Sequence, residues 1–198
     1  MKEIESIDMQ ETEQTVVMDA EAVTAAIHKM AQEITHANPD VHSVALLGIL
    51  SRGRPLAQRL ATHMREMTGT EPRVGSLATT LYRDDMRSGR RALTGGNGTH
   101  FDFDVDGLTV ILVDDVIAAG RTIRAALDEV MDYGRPARIQ LACLIDRGLR
   151  EVPIQPDYLG WSLATEPNDH VSVRLAETDG TDAVLLERAS GETDGGGK

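Results

Sequence analysis

The chain has 198 residues, 41 % hydrophobic and 26 % charged, a length and composition that fit one globular domain with a single sizeable core. Its net charge of −12 speaks against nonspecific nucleic-acid binding. That charge sits at the ends, since residues 1–40 carry nine acids against two bases and residues 176–198 carry six against two, so the middle is nearly neutral.

Residues 1–18 show no period and are expected to form a flexible acidic N-terminus, too polar and acidic for a secretory signal. Asp19 is placed as an N-cap. Val23, Ile27, Met30, Ala31 and Ile34 then follow helical spacing to about Ala37, where Asn38-Pro39-Asp40 breaks the pattern. Residues 44–50 read as a buried strand. Ser51-Arg52-Gly53-Arg54-Pro55 follows, with Pro55 suited to the first turn of a helix whose core face is Leu56, Leu60, Met64 and Met67. Residues 74–82 read as a strand, and 83–106 as a long, polar, Gly-rich loop carrying Arg83, Arg87, Arg90 and Arg91; loops of this length are usually functional or disordered.

Residues 108–113 make the central strand. Residues 122–133 make a helix ended by Gly134 at C′, and 138–145 a strand closing on Asp146-Arg147-Gly148. Short strands are expected at 157–161, 171–175 and 183–186, and 189–198, with Gly195-Gly196-Gly197, as a disordered tail. One domain therefore spans 19–188. The lone Cys143 lies in the apolar run 139–145, which predicts a core thiol and fits a reducing cytoplasm. Apolar runs stay below the ~18 residues of a membrane span. The six histidines lack metal-ligand spacing, and Trp161 reads as a packing or interface residue.

Strands alternating with helices predict an α/β protein with a parallel sheet, and such sheets bind ligands beyond the carboxyl ends of their strands. Polar clusters fall at four such ends: Ser51-Arg52-Gly53, Arg83-Asp84-Asp85, Asp114-Asp115 and Asp146-Arg147-Gly148. The most informative segment runs from Val110 to Thr122. An apolar strand ends in two carboxylates, and a short turn with Gly120 leads to Arg121 and Thr122 at the head of a helix. Backbone N–H groups there can hold a phosphate, while the acid pair can accept hydrogen bonds from vicinal sugar hydroxyls. Taken alone, the segment also reads as a buried strand entering an ordinary helix. Walker and Rossmann glycine patterns are absent.

The segment resembles the loop that binds phosphoribosyl pyrophosphate (PRPP) in type I phosphoribosyltransferases. With Gly48-Ile49-Leu50-Ser51-Arg52-Gly53, Thr80-Leu81-Tyr82-Arg83-Asp84-Asp85, Asp132-Tyr133-Gly134-Arg135-Pro136 and the stretch from Ile139 through Gly148 to Ile154, the chain resembles the PyrR family, pyrimidine operon regulators that are also uracil phosphoribosyltransferases. The likeness runs from about residue 20 to residue 187. It implies a type I phosphoribosyltransferase fold: a central, mostly parallel sheet flanked by helices, a small hood subdomain and a mobile loop. It implies conversion of uracil and PRPP to UMP and pyrophosphate, with UMP-sensing control of pyrimidine genes. The alternative is an RNA-binding attenuation regulator with weak or vestigial transferase activity.

By the same resemblance, Asp114 and Asp115 would hold the ribose hydroxyls and, through waters, a Mg²⁺ that arrives with PRPP. Ala118, Ala119, Gly120, Arg121 and Thr122 would cradle the 5-phosphate. Ser51, Arg52 and Gly53 would form the pyrophosphate loop, with Arg52 offsetting leaving-group charge, and Arg83 would begin the hood. Asp146, Arg147 and Gly148 would border the base pocket. Implied partners are PRPP, uracil, UMP, UTP and pyrimidine operon mRNA, in a cytoplasmic homodimer or homotetramer. Purine-salvage relatives carry an Asp where Ala118 stands, so a pyrimidine fits better. The chain has Ala118-Ala119 where the family commonly has Tyr-Thr; the lost hydroxyl is worth roughly 0.5–1.5 kcal/mol. Leu149, Gln32, Gln155 and Trp161 are neutral where the family is usually basic or His, and the last three of these positions lie on its RNA-binding face. Neutral groups there weaken phosphate contacts and favour the transferase reading.

Overall fold

The computed structural model describes residues 13–79 and 98–188. In chain order the elements are β1 (Glu13–Met18), α1 (Ala20–Ala37), β2 (Val44–Ile49), α2 (Gly53–Thr68), β3 (Arg73–Leu77), β4 (Thr109–Ile117), α3 (Arg121–Tyr133), β5 (Arg138–Asp146), β6 (Tyr158–Ser162), β7 (His170–Arg174), α4 (Ala176–Asp179) and β8 (Ala183–Arg188). Five strands form a sheet in the order β3-β2-β4-β5-β6, and every pairing in it is parallel. A second, antiparallel sheet has the order β1-β8-β7.

The central strands are apolar without alternation because both faces are covered. All six residues of β2 are buried. Successive side chains point to opposite faces, so Val44 and Leu46 pack with Ile111 and Val113 under α1 and α2, while Ala45, Leu47, Val110 and Leu112 pack on the other side with Ile123, Ala126 and Val130 of α3. The smaller sheet joins the first of these cores through Val171, Val173, Val184 and Leu186. The buried stripe of α1 is Val23, Ala26, Ile27, Met30, Ala31 and Ile34, and Asp19 caps it by accepting from the Ala22 N–H at 2.9 Å. Among the described residues no helix is long and apolar enough to cross a membrane.

Several expectations are corrected. Residues 13–18, expected to be flexible, form β1, with Glu13–Met18 pairing antiparallel to β8; residues 1–12 lie outside the described residues. β1 escapes the pattern search because the strand that completes it is more than 160 residues away. The strand expected at 74–82 ends at Leu77. The end of the long polar loop is packed: Phe101 and Val105 are buried, the Phe101 ring lies 4.9 Å from that of Tyr133, and His100 bridges Ser76 of β3. Met67 is 40 % exposed rather than in the core. Gly134 ends α3 in extended backbone (φ 171°), not the left-handed turn; a side chain there would meet Asp106 Oδ1.

Candidate active site

The strand expected to stop at Val113 runs on to Ile117. Its pairing with β2 ends at Val113, opposite Gly48, whereas its pairing with β5 continues through Ile117, opposite Asp146. Asp114 and Asp115 therefore sit where β4 has lost its neighbour on one side only. The turn Leu50-Ser51-Arg52 leaves β2 into that opening, and its Leu50–Ser51 peptide is cis. Gly53 presses on the Val113 carbonyl so closely that a Cβ would collide with it, which explains glycine at this position.

Each carboxylate of the pair spends one oxygen on the backbone. Asp114 Oδ1 accepts from the Asp115 N–H and Asp115 Oδ1 from the Val116 N–H, both at 3.0 Å. The two carboxyl groups also interact with each other side chain to side chain. Burial, and then the charge of Asp115, push the Asp114 carboxyl well above the usual carboxylate range. Such a pair gains from hydroxyl donors or a cation. Among the described residues no group of three or more His, Cys, Asp or Glu is placed to hold a metal.

Four residues beyond the pair's first member, the chain turns through Ala118 and Ala119 into Gly120, the N-cap of α3, in left-handed backbone (φ 87°). No side chain caps this helix, so its first N–H groups are offered to a ligand. Arg121 and Thr122 are exposed on the first turn. The segment after β5 braces the turn from behind. The Glu151 N–H donates to the Ala119 carbonyl at 3.0 Å, Val152 packs against Gly120, and Arg121 Nε donates to Glu151 at 2.7 Å.

The expected base-pocket side chains are committed to the scaffold. Asp146 accepts from Arg150 Nη2 at 2.6 Å and from the Gly148 N–H at 2.9 Å. The Arg147 guanidinium turns to Thr165 Oγ1 (3.0 Å) and the Glu166 carbonyl (3.0 Å). The residue that sequence reasoning did not place in the site is Arg150, which joins Asp146 to the carbonyls of Ala118 (2.9 Å) and Ile154 (2.8 Å). Leu149 beside it has positive φ (61°) and is 41 % exposed. Arg83, with Asp84 and Asp85, lies outside the described residues. The structure thus gathers Ser51, Arg52, Gly53, Asp114, Asp115, 118–122 and Asp146 at the carboxyl ends of three adjacent strands, roughly 5 Å apart. Arg52 itself reaches α4, the short helix between β7 and β8, donating to Asp179 at 3.1 Å.

Cys143 is buried as expected, and burial raises its thiol well above the ordinary range, which disfavours the thiolate.

Solved structures share this fold. The hypoxanthine phosphoribosyltransferase of Trypanosoma cruzi superposes with a TM-score of 0.66 at 17 % identity, over 88 % of this chain and 96 % of that one. The enzyme of Leishmania tarentolae in complex with GMP gives 0.64 at 19 % identity, over 91 % and 99 %. The family described as Phosphoribosyl transferase domain matches residues 13–178, so this is a phosphoribosyltransferase-domain protein. Curated relatives are closer in sequence. The bifunctional protein PyrR of Chloroflexus aurantiacus is 47 % identical over 88 % of this chain and 95 % of its own length, and PyrR 1 of Lactiplantibacillus plantarum is 46 % identical over 87 % and 96 %. The chain belongs to the PyrR family.

Proposed function

We propose that this protein transfers the phosphoribosyl group of PRPP to uracil, forming UMP and pyrophosphate. The observation that supports this most directly is the carboxylate pair of Asp114 and Asp115 facing, across one short turn, the uncapped amino end of α3. The spacing suits a ribose 5-phosphate, with the diol on the acids and the phosphate on the helix. In the reaction the bond from the anomeric carbon to the pyrophosphate oxygen breaks, a uracil ring nitrogen bonds to that carbon, and the nitrogen's proton is released. The protein's part is positioning and charge relief. The turn 118–122 fixes the sugar by its phosphate, Asp114 and Asp115 orient the ring, and Arg52 with the turn 51–53 takes charge on the leaving group. Asp114 and Asp115 would hold, through waters, a Mg²⁺ arriving with PRPP, which would supply further neutralisation of the pyrophosphate. The end of β5 at Asp146, Arg147 and Gly148 borders the base; Arg83, the expected start of the hood, lies outside the described residues. Ala118 offers no donor or acceptor side chain for a purine N7, which supports a pyrimidine.

The test is PRPP- and Mg²⁺-dependent release of pyrophosphate with uracil, hypoxanthine and orotate in parallel, with Asp115→Asn as control. Turnover with uracil alone, lost in the variant, is expected. Turnover with hypoxanthine instead would overturn the substrate assignment.

A second reading, regulation through pyrimidine-leader RNA with UMP or UTP as the signal, is supported by the relatives' description as bifunctional. On the corresponding face Gln32, Gln155 and Trp161 are exposed and uncharged, and Lys29 Nζ is paired with Glu33 at 3.4 Å. That face predicts weak, salt-sensitive RNA binding. A gel shift with leader RNA, with and without UMP, measures it; no shift at low salt removes the reading.

A further inference from the structure

Arg52 lies at the N-cap of α2 and Arg59 two turns further along the same helix. Both point to the turn that joins β7 to β8 in the second sheet. Arg59 spends four of its five N–H donors there: Nη1 and Nη2 reach Asp182 at 2.7 and 2.8 Å, and Nε and Nη2 reach Glu177 at 2.7 and 2.5 Å. Asp182 Oδ1 also accepts from the Ala176 N–H at 2.7 Å, so this corner is tied from inside as well. Asp179 is held by the Leu175 N–H (3.0 Å) and the Thr178 hydroxyl (2.6 Å), and presents its other oxygen, Oδ1, to Arg52 Nη2 at 3.1 Å. Those donors, the Thr178 hydroxyl first, hold the Asp179 carboxyl down at about 2, so it is an anion throughout the physiological range. Arg52 Nε is buried without a partner, and Asp179 is the acid that fixes its guanidinium among the described residues.

We propose that Asp179 is a positioning residue for the pyrophosphate subsite. It acts through Arg52, fixing the direction of that guanidinium through the 3.1 Å bond to Nη2, and the pair of Arg59 with Glu177 and Asp182 keeps Asp179 in place. This rests on the phosphoribosyl-transfer reading for the anion, pyrophosphate, and for the place of Arg52 beside it. An arginine free to swing binds an anion less well than one already aimed, because the ordering must then be supplied on binding. The opposite effect, removal of a negative charge from beside an anion site, is smaller here because Asp179 is already neutralised by Arg52 and lies partly in solvent.

The experiment is a double-mutant cycle read on binding of magnesium pyrophosphate by calorimetry, so it does not depend on turnover with any base. Asp179→Asn is expected to weaken binding about tenfold and Arg52→Gln about thirtyfold, with the double variant no worse than Arg52→Gln alone. Asp179→Glu, which keeps the charge, is expected to recover most of the loss. Thermal melting run beside each variant separates this from unfolding, since a merely structural role would add to the Arg52 effect and follow the loss of stability. Additive losses, or an Asp179→Asn protein that binds pyrophosphate as well as or better than wild type, overturn the proposal. Uracil turnover of the wild type reports separately on the transferase reading.

Discussion

Arg150 donates through Nη1 to the carbonyl of Ala118 at 2.9 Å, across 32 residues of chain. One planar fork, only 16 % exposed, thereby ties the end of β5 to the turn that leads into α3, while its Nη2 holds Asp146 and its Nε the Ile154 carbonyl. Lysine, a single point donor, cannot span these acceptors. Arg150→Gln removes the ion-pair partner of the Asp146 carboxylate and a donor from the carbonyls of Ala118, Gly148 and Ile154. The expected cost is about 2–4 kcal/mol in urea denaturation, with KM for PRPP raised about tenfold and kcat changed less. Arg150→Lys should recover less than half of either effect.

Asp114→Asn should remove turnover and yet raise the melting temperature by about 2–4 °C. The raised carboxyl binds its proton more tightly in the folded state than in the unfolded one. Stability therefore falls as pH rises above the ordinary carboxylate range, while the unfolded chain gives up its proton first. Asparagine preserves an oxygen for the Asp115 N–H and removes the buried charge. Melting curves from pH 4 to 8 on both proteins check this; a variant less stable than wild type at pH 8 contradicts it.

The acidic turn titrates with the opposite sign. Asp179 falls from an ordinary value of 3.8 to about 2, and Glu177 and Asp182 are lowered by the hydrogen bonds of Arg59. The stabilisation these acids give is complete above their unfolded values and is lost as pH falls through the folded ones. Wild type and Asp179→Asn should therefore differ in melting temperature at pH 5 to 7 and converge as pH drops from about 4 towards 2. A difference that persists at pH 2 would show that the effect is not one of charge.

Gly120→Ala should cost about 1–2 kcal/mol and weaken PRPP binding more than it weakens uracil binding. Backbone at φ 87° is strained for any L side chain, and the new methyl would stand 2.7 Å from Val152 Cγ2. Relief would come by moving the turn that forms the phosphate site. Chemical denaturation and separate titrations of PRPP and uracil read the two effects; unaltered PRPP affinity would remove 118–122 from the phosphate site.

The sequence by itself determined the parallel sheet, the order of most of its elements and most of the residues that meet at the candidate site. Those features are written in neighbours along the chain: unbroken apolar runs for strands buried on both faces, helical spacing in α1, and Asp114-Asp115 followed by a glycine turn and a helix start. Local periodicity carries no record of partners far away. Only the tertiary structure decided that β1 pairs with β8, that Asp146 and Arg147 turn into the scaffold, that Arg150 braces Ala118, and that Arg52 meets Asp179 from 127 residues away. An arginine's long side chain makes the same sequence signal whether it faces solvent, substrate or a buried carbonyl, and its role is settled by which acceptors folding brings within about 3 Å.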